Sequence, residues 1–165
     1  MPTISCTGHS LVKARLRETG APFAGEMSGH LFFNDGRWPG FDDGVYAGAR
    51  LLEILSREKD PSAVLEALPS AVNTPELQIK MKEGENKVFI ARLQQEAKFD
   101  DTLNVITIDG VRAEWSDGFA LARSSNTTPV VVLRFEGDTP EALRRIQKAF
   151  TDVLLKVDPT LELPC

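Results

Sequence analysis

Asn104-Val105-Ile106-Thr107-Ile108-Asp109-Gly110-Val111-Arg112-Ala113-Glu114-Trp115 is the stretch whose reading decides the fold. Two β-prone runs flank Asp109-Gly110, the strongest short hairpin signal in the chain. Outward from it, Ser116-Asp117-Gly118 turns again into Phe119-Ala120-Leu121-Ala122, and Pro129 to Phe135 is the last and most apolar strand. Upstream, Leu77, Ile79 and Met81 alternate with Gln78, Lys80 and Lys82, the pattern of a half-buried strand. Phe89, Ile90, Leu93 and Ala97 mark a helix after it. At the far end Asp138-Thr139-Pro140-Glu141 starts a helix, and Leu143, Ile146, Phe150, Val153 and Val157 form its apolar stripe. Strand, helix, meander and helix together predict an α+β unit: an antiparallel sheet with helices on one face.

The whole chain has 165 residues, a formal net charge of −5 and 42% hydrophobic residues, enough for one ordinary domain or two small ones. The acidic balance argues against general nucleic-acid binding, which needs a basic face. An anionic ligand must then be held by local positive charge. No apolar run approaches the ~20 residues that span a bilayer. The opening Met1-Pro2-Thr3-Ile4-Ser5-Cys6 lacks the charged-then-apolar form of a signal peptide. Cys6 and Cys165 are too few for a disulfide framework and form no metal motif, so both read as reduced thiols in a cytoplasmic protein. By the same logic Asn126-Thr127-Thr128 is not a glycan site.

In the first part of the chain, His9 to Thr19 reads as a short helix with Leu11, Val12 and Leu16 inward, closed by Gly20 and Pro22. Gly8-His9-Ser10 puts backbone N–H groups and an imidazole at its start, where an anion could sit. Next comes Gly25-Glu26-Met27-Ser28-Gly29-His30, polar between two apolar runs. If its tip is extended, Glu26, Ser28 and His30 share one face and Met27 takes the other. That face offers an acceptor, a hydroxyl and an imidazole, which suits a hydroxyl-rich ligand, although a plain hairpin tip fits the same residues. A Ser-His-acid hydrolase site is the rival enzyme reading. Its elbow order, Gly-x-Ser-x-Gly, is absent here. Asp42-Asp43 invites a metal, but one of the two is better read as the cap of a helix in which Val45, Ala49, Leu52 and Leu55 keep helical spacing. Pro and Ser punctuate Ser56 to Pro75 around a brief helix, Ser62 to Leu68, and place a domain seam near residue 70.

A second polar loop, Arg123-Ser124-Ser125-Asn126-Thr127-Thr128-Pro129, lies between the last two strands. A guanidinium, hydroxyls, an amide and exposed N–H groups are what a phosphate dianion takes, and the same residues also make ordinary turns.

These segments resemble the α-D-phosphohexomutases, more closely the bacterial phosphomannomutase/phosphoglucomutase branch. Gly25 through His30 resembles the sugar-binding loop, with Met27 as in that branch, and Gly8-His9-Ser10 before a helix resembles the segment upstream of it. Arg123-x-Ser125-Asn126-Thr127-x-Pro129 resembles the phosphate-binding loop of the C-terminal domain. One departure is Cys6, which stands where close bacterial relatives carry Lys. The resemblance implies that Glu26, Ser28, His30 and His9 contact the sugar, and that Arg123, Ser125, Asn126 and Thr127 hold the distal phosphate. Arg134 and Asp42-Asp43 are read as structural.

The resemblance further implies that residues 1–70 are the later part of a third, α/β domain. Residues 71–165 would be a fourth domain of the TATA-box-binding-protein-like kind. The family interconverts hexose 1-phosphate and hexose 6-phosphate of mannose and glucose through a phosphoserine, with Mg and a hexose 1,6-bisphosphate activator. Its phosphoserine and magnesium loops belong to upstream domains, its acid/base Lys to the earlier part of the third. The chain alone is therefore expected to hold no cofactor and no catalytic residue, to be inactive as a mutase, and to partner upstream catalytic domains. Residues 1 to 70 are expected to lack strand partners, exposing apolar surface that favours self-association. A stand-alone phosphosugar-binding module remains the alternative.

Overall fold

The first helix, α1 (His9–Thr19), stops at Gly20, whose φ of 63° suits a residue without a Cβ. The computed structural model describes residues 3–164. Met1, Pro2 and Cys165, which entered the sequence reading, lie outside the described residues. The chain divides into two compact units, one ending at Pro69 and the other starting at Ser70.

In the first unit β1 (Phe23–Gly25) and β2 (Leu31–Phe33) pair antiparallel, with Phe23 opposite Phe33. Val12 and Leu16 of α1 bury against Phe32 to make a small core. Leu11, expected inward, is 52% exposed, because that core is only one stripe wide. Helix α2 (Gly44–Leu55) is capped by Asp43, whose carboxylate accepts from the Tyr46 N–H at 2.9 Å. Its expected core face is open instead: Val45 is 85% and Leu52 67% exposed. A two-stranded ribbon offers too little surface to cover an amphipathic helix of this length. Polar and ring contacts hold α2 in its place. Arg50 pairs with Asp35 and Glu53 and lies over the Phe33 ring, while Trp38 stacks on Tyr46 at 4.3 Å. The Arg50 guanidinium beside Asp35 holds that carboxyl below the usual range, and Arg37 does the same to Glu53. A brief helix, α3 (Pro61–Glu66), follows, with Asp60 as its cap.

The second unit is an antiparallel sheet with two helices on one face. Its elements are β3 (Val72–Asn73), β4 (Leu77–Lys80), α4 (Glu85–Glu96), β5 (Asn104–Ile106), β6 (Val111–Trp115), β7 (Gly118–Ser124), β8 (Val130–Gly137) and α5 (Pro140–Val157). The strands run β3-β8-β7-β6-β5, and β4 also pairs with β8. Inward residues alternate along the strands, as in Val111, Ala113 and Trp115 or Ala120 and Ala122, and pack on Phe89, Leu93, Ile146, Phe150 and Leu154. Arg112, Glu114, Leu121, Arg123 and Arg134 occupy the other, half-buried face. Strand β5 ends at Ile106, two residues before the extent its composition suggested. Gln94 of α4 draws the Thr107 and Gly110 carbonyls to its amide at 3.0 Å each, which turns the chain out of the ladder. No helix among the described residues is long and apolar enough to cross a membrane.

Candidate functional site

The tip between β1 and β2 is a closed turn. The Gly29 N–H donates to the Glu26 carbonyl at 3.0 Å, the Glu26 N–H donates to the His30 carbonyl at 2.9 Å, and Gly29 has a φ of 91°. This is a three-residue hairpin loop with a left-handed residue at its end. The extended tip expected from alternation is therefore corrected. Met27 and Ser28 take the exposed corner, and strand alternation does not run through them. Glu26 turns back instead. Its Oε1 accepts from the Gly8 N–H at 2.6 Å, so its carboxylate caps α1, which has no cap of its own. A carboxylate there also meets the positive end of the helix. The same contact brings Gly8-His9-Ser10 to the hairpin, where the His9 ring rests on Phe32 at 5.4 Å. His9 and Glu26, 17 positions apart in the chain, thus come together in space.

His30 has a partner the sequence reading missed: its Nδ1 lies 2.6 Å from Oδ2 of Asp42. Asp43 alone caps α2, and Asp42 is free of that duty. A bridge pairing Phe32 with Asp42 brings the carboxylate back to the hairpin, so only a long-range contact reveals it. Asp42 occupies the Nδ1 side of the ring, which leaves Nε2 as the ring nitrogen open to a ligand. Among the described residues Ser28 makes no side-chain hydrogen bond, to His30 or to any other group. The hydrolase reading loses its nucleophile–base contact.

At the phosphate-loop end of β7 the Arg123 guanidinium has no hydrogen-bond or ion-pair partner among the described residues. Arg134 shares its sheet face, opposite Leu121. Beyond Arg123 the chain folds on Ser125, whose Oγ accepts the N–H groups of Thr127 at 3.3 Å and Thr128 at 3.2 Å. The same hydroxyl meets the Thr128 Oγ1 at 2.9 Å. Asn126, Thr127 and Thr128 are exposed. Ser125 organises the loop, while Asn126, Thr127 and the Arg123 head remain available to an anion. A buried amide, Asn86 of α4, reaches three carbonyls around this loop. Sequence reasoning missed it because an Asn in the first turn of a helix reads as an ordinary helix start.

Magnesium finds no fitting donor set here. Among the described residues no three His, Cys, Asp or Glu side chains gather, and the suggestive pair is spent, Asp42 on His30 and Asp43 on the α2 cap. Among the described residues, one open cleft of about 810 Å³ lies in the second unit along Ile79, Val88 and Leu161. It does not include Arg123 or the loop after it.

The ribbon-and-helix unit and the helix-backed antiparallel sheet each match a domain of one enzyme family. The family model for phosphoglucomutase/phosphomannomutase, alpha/beta/alpha domain III matches residues 3–72, and that for the C-terminal domain of the same enzymes matches residues 76–153. The chain belongs to the phosphoglucomutase/phosphomannomutase family and corresponds to its C-terminal part. It is 56% identical over 149 residues to a phosphoglucomutase of Neisseria gonorrhoeae, covering 90% of this chain and 32% of that protein. It is 50% identical over 164 residues to the phosphomannomutase/phosphoglucomutase of Pseudomonas aeruginosa, covering 99% of this chain and 35% of that one. A crystal structure of a phosphoglucomutase/phosphomannomutase family protein from Burkholderia thailandensis matches 96% of the chain and 33% of its own, with a TM-score of 0.89 and 62% identity. The chain thus spans about a third of the length of the relatives it matches.

Proposed function

We propose that this chain is the substrate-recognition portion of a phosphomannomutase/phosphoglucomutase that interconverts hexose 1-phosphate and hexose 6-phosphate. Residues 1–70 supply the sugar-reading part of the third domain, and residues 71–165 are the phosphate-holding fourth domain. The observation that carries this reading is the unpartnered Arg123 guanidinium beside a loop with Asn126 and Thr127 turned outward. A dianion supplies the missing partners: Arg123 gives bidentate charge-assisted bonds, and the amide and hydroxyl fill the remaining oxygens. Glu26 and Ser28 read hydroxyls common to mannose and glucose, with His9 and His30 beside them. The charge of Glu26 is already drawn toward the start of α1, so an oxygen of the carboxylate is fixed in direction before any sugar arrives. Such preorganisation lowers the cost of binding.

The phosphoserine chemistry, Mg and the hexose 1,6-bisphosphate activator belong in this reading to upstream catalytic domains, and the enzyme works in the cytoplasm. What this chain contributes is position. Binding energy from the non-reacting phosphate and the hydroxyls is then available to lower the barrier at the reacting end.

The test is Glu26→Gln. Glutamine keeps an oxygen to accept from the Gly8 N–H, so the fold is retained, while the charge that strengthens a sugar hydroxyl bond is lost. Affinity for glucose 1-phosphate, measured calorimetrically, is expected to fall about tenfold, with affinity for inorganic phosphate unchanged. Equal affinities of variant and parent for glucose 1-phosphate would remove Glu26 from the sugar site.

A further inference from the structure

Asn86 is 3% exposed, in the first turn of α4, and belongs to no part of the site described by the family resemblance. Its Nδ2 lies 3.2 Å from the Ser125 carbonyl, 3.3 Å from that of Thr128 and 3.3 Å from that of Val130. An amide has two N–H donors, so three carbonyls in reach means that at least one bond is shared. All three acceptors belong to the segment that closes the phosphate loop, where the Ser125 N–H also bonds the Val130 carbonyl at 3.0 Å. A buried amide without acceptors is costly, and so are buried carbonyls without donors. The loop and Asn86 therefore fix each other.

We propose that Asn86 is a positioning residue for anion binding: it sets the loop in its ligand-ready form without touching the ligand. This rests on the phosphate role given above to Arg123 and its loop. The geometry runs through one peptide plane. In a trans peptide the carbonyl and the following N–H point in opposite directions, and the described residues contain no cis bond. Drawing the Ser125 carbonyl inward to Asn86 turns the Asn126 N–H outward. The N–H groups of Thr127 and Thr128 are taken by Ser125 Oγ. The Asn126 N–H is thus the backbone donor the clamp leaves for an anion, on the exposed tip beside Arg123. A second amide of the same helix, Gln94, holds the Thr107 and Gly110 carbonyls of the neighbouring loop. Helix α4 in this way frames both loops at one end of the sheet.

The experiment compares the 165-residue chain with Asn86→Ala, Asn86→Asp and Arg123→Ala, using inorganic phosphate and glucose 1-phosphate as probes. Asn86→Asp keeps the shape and removes the donors. Both Asn86 variants are expected to bind either probe about tenfold more weakly, the scale typical of removing a supporting contact behind a site. Their Ser125 amide should exchange faster with solvent, and the Asn126 amide signal should lose its shift on adding phosphate. Core amides at Ile146, Phe150 and Leu154 should be unaffected. Parent-like phosphate affinity in the Asn86 variants, alongside lost affinity in Arg123→Ala, would overturn the clamp and leave the phosphate reading standing. Parent-like affinity in Arg123→Ala would instead overturn the phosphate reading itself. Unfolding of the second unit by both Asn86 variants would make Asn86 a core residue and also overturn the clamp.

Discussion

Gly110→Ala is expected to destabilise the second unit by roughly 3 kcal/mol or more, one of the largest effects available to a single methyl group in this chain. A Cβ at this position would lie 2.1 Å from the Ala122 carbonyl oxygen and 2.8 Å from the Arg123 Cα. Both are backbone atoms of a central strand, so neither can swing aside as a side-chain tip would. The φ of 97° adds strain, since an L side chain rarely adopts it. Gln94 holds the Gly110 carbonyl from the other side and blocks the loop from lifting away. Urea denaturation followed through the buried Trp115 measures the loss, and a midpoint equal to the parent's would contradict it. Any relief of the clash must move β7 at Arg123, so anion affinity should fall together with stability.

Arg123→Ala is the second large expectation. It removes the one cation of the loop, whose remaining polar groups are neutral. Two charge-assisted bonds at about 1.5–3 kcal/mol each would be lost, offset by solvation of the freed phosphate. The net expectation is a fall in glucose 1-phosphate affinity of roughly a hundredfold, measured by calorimetry. Arg123 has no ion pair or hydrogen bond among the described residues, so stability should change little. That separates this variant from Gly110→Ala, in which both properties fall. Arg123→Lys should recover only part of the affinity, because an ammonium lacks the planar fork. Full affinity in Arg123→Ala would refute the assignment of the loop.

Features governed by near neighbours were open to reading from the sequence. The α+β class of the second unit follows from alternation in Leu77 to Lys82, the turn at Asp109-Gly110 and the stripe of α5. The structure has strands at Leu77–Lys80 and Val111–Trp115 and a helix over Pro140–Val157, with Thr139 as its cap. The α1 helix likewise begins at His9 and ends before Gly20. What escaped depends on distant partners. Nothing near Asp42 tells that it meets His30 and not the helix it precedes. Asn86 sits 39 positions before Ser125, and its three acceptors are backbone groups, which carry no sequence signature. Alternation breaks down at Glu26 to His30 for a different reason. Gly29 makes a closed turn possible, and a closed turn ends the period-two pattern at Gly25. In α2 the spacing was right and the burial was not. Amphipathic spacing states which face is apolar, and Val45 and Leu52 remain exposed for want of a covering layer in this unit.

The central claim is that the acidic hairpin and the arginine loop are the two places where this chain meets a phosphorylated hexose. The most direct measurement is a titration of the isotopically labelled chain with glucose 1-phosphate, following its backbone amide signals. The account predicts saturable shifts at Glu26 to His30 and at Arg123 to Thr127, with inorganic phosphate moving only the second group. Shifts confined to other surfaces, such as the cleft along Ile79, Val88 and Leu161, would contradict it.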